Sequence, residues 1–565
     1  MKKIILTVTL AVSALLVARA QTADYRIIPL PKSVVTDTTH VFTLTTGMGI
    51  AYDSSDAEVA RIASFLRDWV EEVTSVRLTL TPDDKWAAIR LTSSRPSPKR
   101  KASPKSSPKG KDSKSPLLQQ GTGETEAYTL TVDAKGIALV AEKPVGLFRG
   151  AQTLRKALPV VNGQSDGTTV TLPYVCIDDE PRFDYRGAHL DTSRHFFTID
   201  FLKKYLDVLA LHGCNQFHWH LTDNQGWRFE VKALPELAAK GSIRAQSHIG
   251  RAGLYDGTPY GGYYTQDDCR ELVRYAAERY INIIPEIDMP AHIESALSVY
   301  PELGCTGGPY RVVEHLGGSS EVLCAGNPKT MEFLRTVFGE LCDVFPSKMI
   351  HIGGDECPKS RWRSCPKCQA KIRELGLTDD GHHSVENQLQ SWMNHEIETF
   401  LHERGRDIIG WDEVLEGGLT EGGIVMSWRG IDGGIEAAQQ GHRVIMTPTD
   451  YCYFDYWQLR DHDRQPVSIG YYLPVSKTYS FEPFDDERLG DYEKKYILGV
   501  QGNLWTEYVA YPMHVFYMLL PRLDALSEVQ WCLPDQKDYD DFRARLPRIR
   551  QLYDRLGVNY CRDME

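Results

Sequence analysis

Short apolar runs alternate with amphipathic segments along the chain from Phe183 onward. Eight runs have the length and composition of β-strands: residues 185–190, 216–221, 281–287, 349–353, 408–411, 424–427, 443–447 and 498–501. The spacing of apolar residues predicts helices between many of them: 199–211, 267–279, 329–345, 384–404 and 433–440. Eight alternating units over roughly 350 residues fit a closed (β/α)8 barrel of the TIM type better than an open sheet.

A different pattern precedes the barrel, over residues 21–178. Residues 57–73 have helical spacing, and three stretches alternate like strands (87–91, 128–132 and 136–140). We therefore predict a small α+β domain here, in a chain whose overall class is α/β. A run rich in Pro, Ser and Lys at 95–118 is too polar to fold, which predicts a disordered loop.

These patterns divide the chain into four parts. Residues 1–20 begin with Lys2 and Lys3, continue with an apolar run and end in Ala18-Arg19-Ala20, as a signal peptide does. We expect the α+β domain at 21–178, the barrel at 179–533, and a C-terminal helix packed on the barrel within 534–565. The apolar run is too short for a membrane span, so we predict an exported protein, periplasmic or secreted, without stable membrane insertion.

Composition excludes some classes of partner. The formal charge of −12 on 565 residues disfavours a nucleic-acid binder, which is normally basic. The sequence has neither G-x-G-x-x-G nor G-x-x-x-x-G-K-[ST], so nucleotide binding has no support. We expect no cofactor.

Export makes the 12 cysteines candidates for disulfides. Cys305 and Cys324 bracket a Gly-rich loop and are the predicted pair. Cys357, Cys365 and Cys368 form a second cluster, and the C-P-K-C spacing is that of half a zinc site. Because no matching second pair follows in the sequence, a disulfide or free thiols is favoured and we expect no metal.

Two adjacent carboxyl groups follow the predicted strand 349–353. Gly353-Gly354 ends the strand, and Asp355 and Glu356 come next, where a parallel barrel places its chemistry. Neighbouring buried acids repel, so one of them should keep its proton to higher pH, as a general acid requires. The alternative is a surface turn with two solvated acids.

Polar and aromatic residues recur at the ends of the other predicted strands. They are Asp191 and Arg194; Asp223, Asn224 and Gln225; Glu286, Asp288 and His292; Trp411, Asp412 and Glu413; Trp428; Asp450, Tyr453 and Asp455; and Trp505 and Glu507. Such residues from many strands predict one polar pocket with tryptophan walls, which suits a sugar.

Seven ordered motifs resemble the β-N-acetylhexosaminidases of glycoside hydrolase family 20. They are Arg186-Gly187-Ala188-His189-Leu190-Asp191 with Arg194-His195, the segment 218–227 (HWHLTDNQGW), the segment 286–292 (EIDMPAH), 351–356 (HIGGDE), 410–413 (GWDE), Tyr453-Phe454-Asp455 and Trp505-Thr506-Glu507. The resemblance covers nearly all of the chain after residue 20, apart from the basic insert.

The resemblance implies a retaining hydrolysis in which the substrate's own 2-acetamido group is the nucleophile, giving an oxazolinium intermediate. It implies that Glu356 is the general acid/base. Asp355 would orient the acetamido N–H and offset the charge on the oxazolinium ring. Tyr453 would hydrogen-bond the acetamido oxygen and fix its angle of attack.

The resemblance also implies the residues that bind the sugar. Arg186 would hold the 3- and 4-hydroxyls, while Asp455 and Glu507 would take the 4- and 6-hydroxyls. Three tryptophans would wall the acetamide methyl group and the sugar ring: Trp411, Trp428 and Trp505. Without the motifs, Arg186 fits a structural ion pair equally well, and a Trp at a strand end is usually core.

We also predict roles for the histidines near the pocket. The resemblance implies that Asp223 and His292 form a pair behind Glu356 that tunes its protonation. Without the motifs, His292 would be interpreted as a core histidine. His218 and His220 share one face of a strand, which can suggest a metal, but no third ligand has suitable spacing. We therefore favour structural hydrogen bonds for them.

The function we predict is an exo-acting β-N-acetylhexosaminidase that removes terminal β-linked GlcNAc or GalNAc from a glycan. Three alternatives stay open: a disaccharide-releasing relative similar to lacto-N-biosidases, a glycan-binding barrel without activity, and a two-carboxylate glycosidase. The last predicts that an acid such as Glu413 or Glu507 is a covalent nucleophile. The sequence does not decide between GlcNAc and GalNAc, nor does it give the natural glycan or the oligomeric state.

Overall fold

The computed structural model describes residues 22–82, 85, 87–93, 126–161, 169–315, 318–419 and 422–564. The chain divides into two compact units, Met1–Asp184 with Gln530–Val558 and Tyr185–Val529 with Asn559–Glu565. The predicted signal peptide (1–20) and the predicted disordered loop (95–118) lie outside the described residues.

A mixed seven-stranded sheet forms the first unit. Its strands are β1 (Ser33–Thr45), β2 (Gly49–Ala51), β3 (Thr79–Thr81), β4 (Ala87–Thr92), β5 (Tyr128–Asp133), β6 (Gly136–Ala141) and β7 (Thr169–Asp179). Their order in the sheet is β1-β7-β5-β6-β4-β2-β3. With the helices Ala57–Thr74 and Pro144–Ala157, this sheet forms the predicted α+β domain.

The helix Ala57–Thr74 shows how the local sequence builds this unit. The Asp56 side chain caps it by accepting hydrogen bonds from the backbone N–H groups of Glu58 and Val59. Its apolar residues recur every three or four positions and are buried: Val59, Ile62, Ala63, Leu66, Val70 and Val73. This spacing gives the helix one apolar face, which it buries in the core of the unit.

The C-terminal helix Tyr539–Leu556 belongs to the first unit, so our assignment of it to the barrel is wrong. Its arginines donate to backbone carbonyls of that unit: Arg545 Nη1 to Ile27 O (2.8 Å) and Arg548 Nε to Lys156 O (3.0 Å). The sequence predicted the helix but carried no signal for its partner, because its contacts lie hundreds of residues away in the chain.

Eight parallel strands close into the predicted barrel. They are β8 (Tyr185–Asp191), β9 (Gln216–His220), β10 (Asn282–Met289), β11 (Met349–Gly353), β12 (Asp407–Trp411), β13 (Ile424–Ser427), β14 (Arg443–Met446) and β15 (Ile497–Gly502). Each strand pairs with its neighbour in sequence, and β15 pairs with β8 to close the ring. All eight predicted strands are confirmed to within one or two residues at each end.

Large apolar side chains fill the barrel interior. The buried cluster is Tyr185, Ile284, Ile409, Trp411, Ile424, Met426 and Ile445. It comes from several strands, as in the layered core of a closed barrel. Trp411 therefore belongs both to this core and to the end of β12.

Helices and short hairpins connect the barrel strands. The helices are Ile199–Leu211, Gln266–Ala277, Glu294–Leu297, Pro328–Val344, Ser360–Ser364, Pro366–Leu375, Val385–His402, Asp432–Gln439, Thr449–Cys452, Val475–Tyr479, Pro512–Leu519 and Arg522–Trp531. Two-residue strands pair as Thr222–Asp223 with Gly226–Trp227, Ile243–Arg244 with Tyr260–Gly261, and His248–Ile249 with Leu254–Tyr255. Among the described residues, every helix is too short or too polar to cross a bilayer.

None of the 12 cysteines forms a disulfide, so the predicted Cys305–Cys324 pair is not present. Cys305 instead lies 3.8 Å, sulfur to sulfur, from Cys368, and Cys324 lies 3.6 Å from the same residue. Bracketing a loop in sequence was a poor guide, because a third and a fourth cysteine approach the pair from another segment.

Candidate active site

A cavity of about 340 Å³ opens at the carboxyl ends of the barrel strands. Its lining residues are Arg194, His292, Asp355, Glu356, Trp411, Trp428, Tyr453, Asp455, Tyr456, Ile469, Tyr471, Trp505 and Glu507. Every predicted site residue is among them except Arg186 and Asp223. The volume lies in the range of small-molecule sites.

Two glycines bring the adjacent carboxyl groups to the cavity. Gly353 and Gly354, at the end of β11, have φ of 69° and 101°, which glycine adopts at no steric cost. A Cβ on Gly353 would lie 1.8 Å from Oδ1 of Asp288, so any larger residue would displace the neighbouring strand end. Glu356 itself has a φ of 48°, a left-handed conformation that costs a non-glycine residue energy.

The two carboxyl groups have different surroundings. Burial raises the pKa of Asp355, and the charges of Glu286 and Glu356 raise it further. The hydrogen bond from His292 lowers the pKa of Glu356, whose side chain is 56% exposed. The pKa values of the two carboxyl groups differ in direction, as the sequence predicts. The raised pKa belongs to Asp355 and not to the predicted general acid, because Glu356 lies at the solvent-exposed mouth of the cavity beside His292.

His292 connects this pair to the rest of the site. Its Nε2 lies 3.5 Å from both Oδ2 of Asp355 and Oε2 of Glu356, and its Nδ1 lies 3.1 Å from Oδ1 of Asp223. Burial lowers the pKa of His292, but the charges of Asp223 and Asp355 outweigh it and hold that pKa well above its usual value. This raised pKa favours the imidazolium form of His292, and Asp223 lies behind it as the sequence predicted.

Arg194, not Arg186, is the arginine of the cavity. Arg186 is fully buried at the start of β8, where its Nε donates to the carbonyl of Gly213 at 2.8 Å. The start of a barrel strand lies at the face opposite the cavity, so the predicted contact of Arg186 with sugar hydroxyls is wrong. Arg194 follows the other end of the same strand, and its position directly after β8 was the signal that should have selected it.

Acidic residues hold the Arg194 guanidinium in place. Its Nη1 lies 3.0 Å from Oδ2 of Asp191 and 3.5 Å from Oε1 of Glu507, and its Nη2 lies 2.8 Å from Oδ2 of Asp223. The guanidinium also lies 5.1 Å from the centre of the Trp505 ring, within the range of a cation–π contact. These contacts give the guanidinium a single orientation at the cavity wall.

Three carboxyl oxygens in the cavity have no hydrogen-bond partner among the described residues. They are Oδ1 of Asp355, Oδ1 of Asp455 and Oε2 of Glu507, all buried. Burial raises the pKa of Asp455 well above its usual range, and it also raises the pKa of Glu507. Because buried polar atoms in proteins are normally paired, these oxygens are suited to accept hydrogen bonds from a polar ligand.

Aromatic rings form the remaining walls. Trp411 and Trp505 have their ring centres 5.8 Å apart, and Trp428 stacks on Tyr453 at 6.1 Å with an interplanar angle of 23°. Trp428 Nε1 donates to Oε2 of Glu413 at 2.9 Å, which fixes its ring. Burial raises the pKa of Tyr453 well above its usual value, so its hydroxyl stays neutral and can donate.

Three lining residues were not predicted: Tyr456, Ile469 and Tyr471. They lie after β14 and its short helix Thr449–Cys452, in a segment without strand or helix periodicity. The sequence carries no pattern that would have selected them.

The histidines of the barrel interior share one carboxylate. Glu286 contacts Nε2 of His218 at 3.1 Å and Nδ1 of His351 at 2.9 Å, and it also pairs with Nδ1 of His220. Its other contact is with Nε1 of Trp411, which donates to Oε1 at 3.0 Å. The hydrogen bonds of His220 to Glu286 and of His218 Nδ1 to Gln501 agree with the structural role predicted for these histidines, and the bond from Trp411 to Glu286 orients that ring beneath the cavity.

Comparison with protein-family models identifies both parts of the chain. Residues 183–533 match "Glycosyl hydrolase family 20, catalytic domain", and residues 24–180 match "Glycosyl hydrolase family 20, domain 2". A (β/α)8 barrel with an acidic, tryptophan-walled cavity is a common form of carbohydrate-active protein, and the two matches make the assignment specific. The chain belongs to glycosyl hydrolase family 20.

Known proteins resemble the chain over most of its length. A beta-hexosaminidase of Porphyromonas gingivalis is 41% identical over 454 residues, which is 80% of this chain and 56% of that protein. The chain thus spans little more than half of that relative. A mutant of the Streptomyces plicatus beta-hexosaminidase in complex with the product GlcNAc has a TM-score of 0.77 at 29% identity, covering 95% of this chain and 96% of the other.

A second solved structure has the same similarity. It is an exo beta-N-acetylglucosaminidase of Vibrio harveyi in complex with N-acetylglucosamine, with a TM-score of 0.77 and 29% identity. The match covers 96% of this chain and 78% of that one.

Proposed function

We propose that the chain is an exo-acting, retaining β-N-acetylhexosaminidase that uses the acetamido group of its substrate as the nucleophile. The observation that carries this proposal is the unpaired, buried Oδ1 of Asp355 beside Glu356 on one loop of the cavity. Two carboxyl groups on adjacent residues cannot flank a sugar from opposite faces, but they can act on the same side in different roles.

Glu356 is the group that transfers the proton. It lies at the mouth of the cavity, where the glycosidic oxygen of a bound sugar would lie, and a substrate that covers it excludes water and raises its pKa from the lowered value of the free protein. The protonated carboxyl donates to the leaving oxygen as the C1–O bond breaks. The resulting carboxylate then takes a proton from the water that opens the oxazolinium ring.

Asp355 and Tyr453 position the nucleophile. The Oδ1 of Asp355 accepts the acetamido N–H, so that the acetamido oxygen attacks C1, and the carboxylate offsets the charge that develops on the ring. The Tyr453 hydroxyl, neutral because it is buried, donates to the acetamido oxygen and sets its direction.

The rest of the cavity suits one terminal sugar. Arg194 takes over the role that we first gave to Arg186, as a donor to ring hydroxyls, and the unpaired oxygens of Asp455 and Glu507 accept from others. The tryptophan walls enclose the acetamide methyl group and the ring face. Two similar structures, a beta-hexosaminidase with its product GlcNAc and an exo beta-N-acetylglucosaminidase, support a terminal β-linked GlcNAc as the substrate, and we extend the proposal to GalNAc.

Hydrolysis of 4-nitrophenyl β-N-acetylglucosaminide and its galactosamine counterpart tests the proposal, with wild type, Glu356→Gln and Asp355→Asn. We expect activity in the wild type, losses of about 10²–10³-fold in both variants, and tight inhibition by a thiazoline analogue of the intermediate. A trapped glycosyl ester on Glu413 or Glu507 would instead establish the two-carboxylate mechanism. Sugar binding without turnover would favour a disaccharide-releasing enzyme or a glycan-binding barrel without activity.

We also propose that the chain is exported and meets its glycan in the periplasm or outside the cell. The support is the leader-like composition of residues 1–20 in the sequence. Mass spectrometry of the protein from cell fractions checks this: a mature form that begins at Gln21 is expected outside the cytoplasm. An uncleaved form confined to the cytoplasm would refute export.

A further inference from the structure

Four cysteines from two distant segments meet beside the loops of the cavity. They are Cys305, Cys324, Cys365 and Cys368, and their sulfur atoms all lie within 4.8 Å of one another. Three of the four are buried and Cys305 is partly exposed. None of them lines the cavity, so the proposed hydrolysis does not explain why they converge. We refer to them as the four-cysteine cluster.

The distances in this cluster are those of ligands around one ion. Sulfur–sulfur separations are 3.6 Å for Cys324–Cys368, 3.7 Å for Cys324–Cys365 and 3.8 Å for Cys305–Cys368. Zinc–thiolate bonds of about 2.3 Å in a tetrahedron place neighbouring sulfurs about 3.8 Å apart. A disulfide needs about 2.05 Å. Cys324 is moreover equally close to two other sulfurs, which a pairwise bond does not require.

The backbone is shaped to bring the four sulfurs together. Cys365 is the N-cap of the helix Pro366–Leu375, and Cys368 lies in its first turn, so both thiols point from one helix end. Gly326 packs directly on this turn: a Cβ there would lie 2.1 Å from the carbonyl of Lys367 and 2.6 Å from the backbone N of Cys368. Only glycine allows the segment that carries Cys324 to approach so closely.

We propose that the four-cysteine cluster binds a structural Zn²⁺ through four thiolates. A site with four protein ligands leaves no position for water or substrate, so the ion holds the fold and takes no part in hydrolysis. This reverses our expectation of a metal-free chain. The C-P-K-C motif is half of the proposed site, and its second half was hidden because Cys305 and Cys324 are 19 positions apart in the sequence and close only in space.

The position of the site suggests what it stabilises. Cys305 and Cys324 belong to the long connection after β10, which also carries His292, while Cys365 and Cys368 follow Glu356 in the connection after β11. Within the first connection, the N–H of Leu323 donates to Pro290 O at 2.9 Å. Between the two, Trp362 Nε1 donates to Leu323 O at 2.9 Å. A zinc ion here would fasten the loop of His292 to the loop of Glu356.

The first test is the metal content of the full chain, expressed with zinc in the medium and purified without chelator or reductant. We expect about one zinc per chain by elemental mass spectrometry, released as an organomercurial titrates four thiols. Cys324→Ser, Cys368→Ser and Gly326→Ala should each lose most of the zinc. The matched control is Cys176→Ser, which removes an exposed cysteine outside the cluster and should keep it.

Cobalt gives a readout in wild type that does not depend on any variant folding. Chain produced with Co²⁺ in place of Zn²⁺ should show the intense visible bands and the thiolate-to-metal charge transfer of a tetrahedral four-sulfur site. Wild-type chain that holds no zinc and shows disulfides among these four cysteines would overturn the proposal. Four free thiols without metal, or zinc retained by both cysteine variants, would overturn it equally.

Discussion

Four carboxyl groups lie close to His292, those of Asp223, Asp288, Asp355 and Glu356, and the charges of Asp223 and Asp355 raise its pKa. Asp223 holds one ring nitrogen, while Asp355 and Glu356 lie at equal distance from the other. The imidazolium lowers the pKa of Glu356 and opposes the effect of burial on the pKa of Asp355. One side chain thus affects the pKa of both members of the carboxyl pair.

Replacing His292 by Gln should therefore move the pH profile of kcat/KM to higher pH. Without the cation, the pKa of Asp355 rises, so the acidic limb, where Asp355 must ionise, moves up. The pKa of Glu356 also rises, so the basic limb, where the general acid loses its proton, moves up as well. Measuring kcat/KM across the acidic and neutral range tests this, and an unchanged profile or a shift to lower pH would contradict it.

The two arginines of the first motif offer a matched comparison. Arg194→Lys keeps the charge but loses the guanidinium fork that we propose binds the sugar, and we expect kcat/KM to fall about 10–100-fold, mostly through KM. Arg186→Lys alters a buried contact with Gly213 at the other face of the barrel, so it should lower Tm and leave KM unchanged. Steady-state kinetics and thermal melts of both variants decide this. The reverse pattern would restore Arg186 as the sugar-binding residue.

Strand β11 and the two glycines at its end position the carboxyl groups of Asp355 and Glu356. Gly353 has a φ of 69° and is packed against Asp288, whereas Gly405 has a φ of 70° with no atom within 4 Å of its virtual Cβ. These two positions share a left-handed backbone conformation and differ in their surroundings. They separate the cost of the left-handed conformation from the cost of crowding the site.

Gly405→Ala should lower the free energy of unfolding by about 1 kcal/mol, the cost of a left-handed alanine. Gly353→Ala should cost more, about 2–4 kcal/mol, because a shift of Asp288 is added to the same strain. It should also reduce kcat, since Asp355 and Glu356 follow directly. Urea denaturation and kinetics of both variants provide the measurement. Equal losses of stability would mean that Asp288 moves aside at little cost.

The elements of the barrel could be predicted because each strand is an apolar run between amphipathic helices, a pattern that burial on both faces imposes. Residues at the strand ends could be predicted for the same reason, since the parallel arrangement gathers them. The prediction for Arg186 was wrong because a motif gives the residues without saying which end of a strand they occupy. The four-cysteine cluster was missed because two of its members meet the others only through tertiary structure.

The first unit is built from segments that precede and follow the barrel in the chain. The helix Tyr539–Leu556 returns to it after the barrel, and Arg548 donates from one guanidinium to the carbonyls of Lys156, Ala157 and Leu158. The stability of this unit therefore depends on residues that follow the whole barrel in the chain.

Arg548→Ala should lower the free energy of unfolding by about 2–3 kcal/mol, because carbonyls that a charged donor satisfied lose their partner. kcat/KM should not change, since the cavity belongs to the other unit. Arg543→Ala, on an exposed position of the same helix, is the control and should stay within about 0.5 kcal/mol of wild type. Equal effects of the two substitutions in urea denaturation would refute a specific role for Arg548.

The unpaired carboxyl oxygens of the cavity make the ligand a contributor to the folded state. Asp355, Asp455 and Glu507 each bury an acceptor that no described residue satisfies, and a bound sugar offers N–H and O–H donors to all three. Thermodynamic linkage then requires that product stabilise the folded chain, by about 2.7 kcal/mol at a hundred times its Kd. The free energy of unfolding should therefore be highest when the sugar product is abundant. Product inhibition and thermal stability then measure the same contacts.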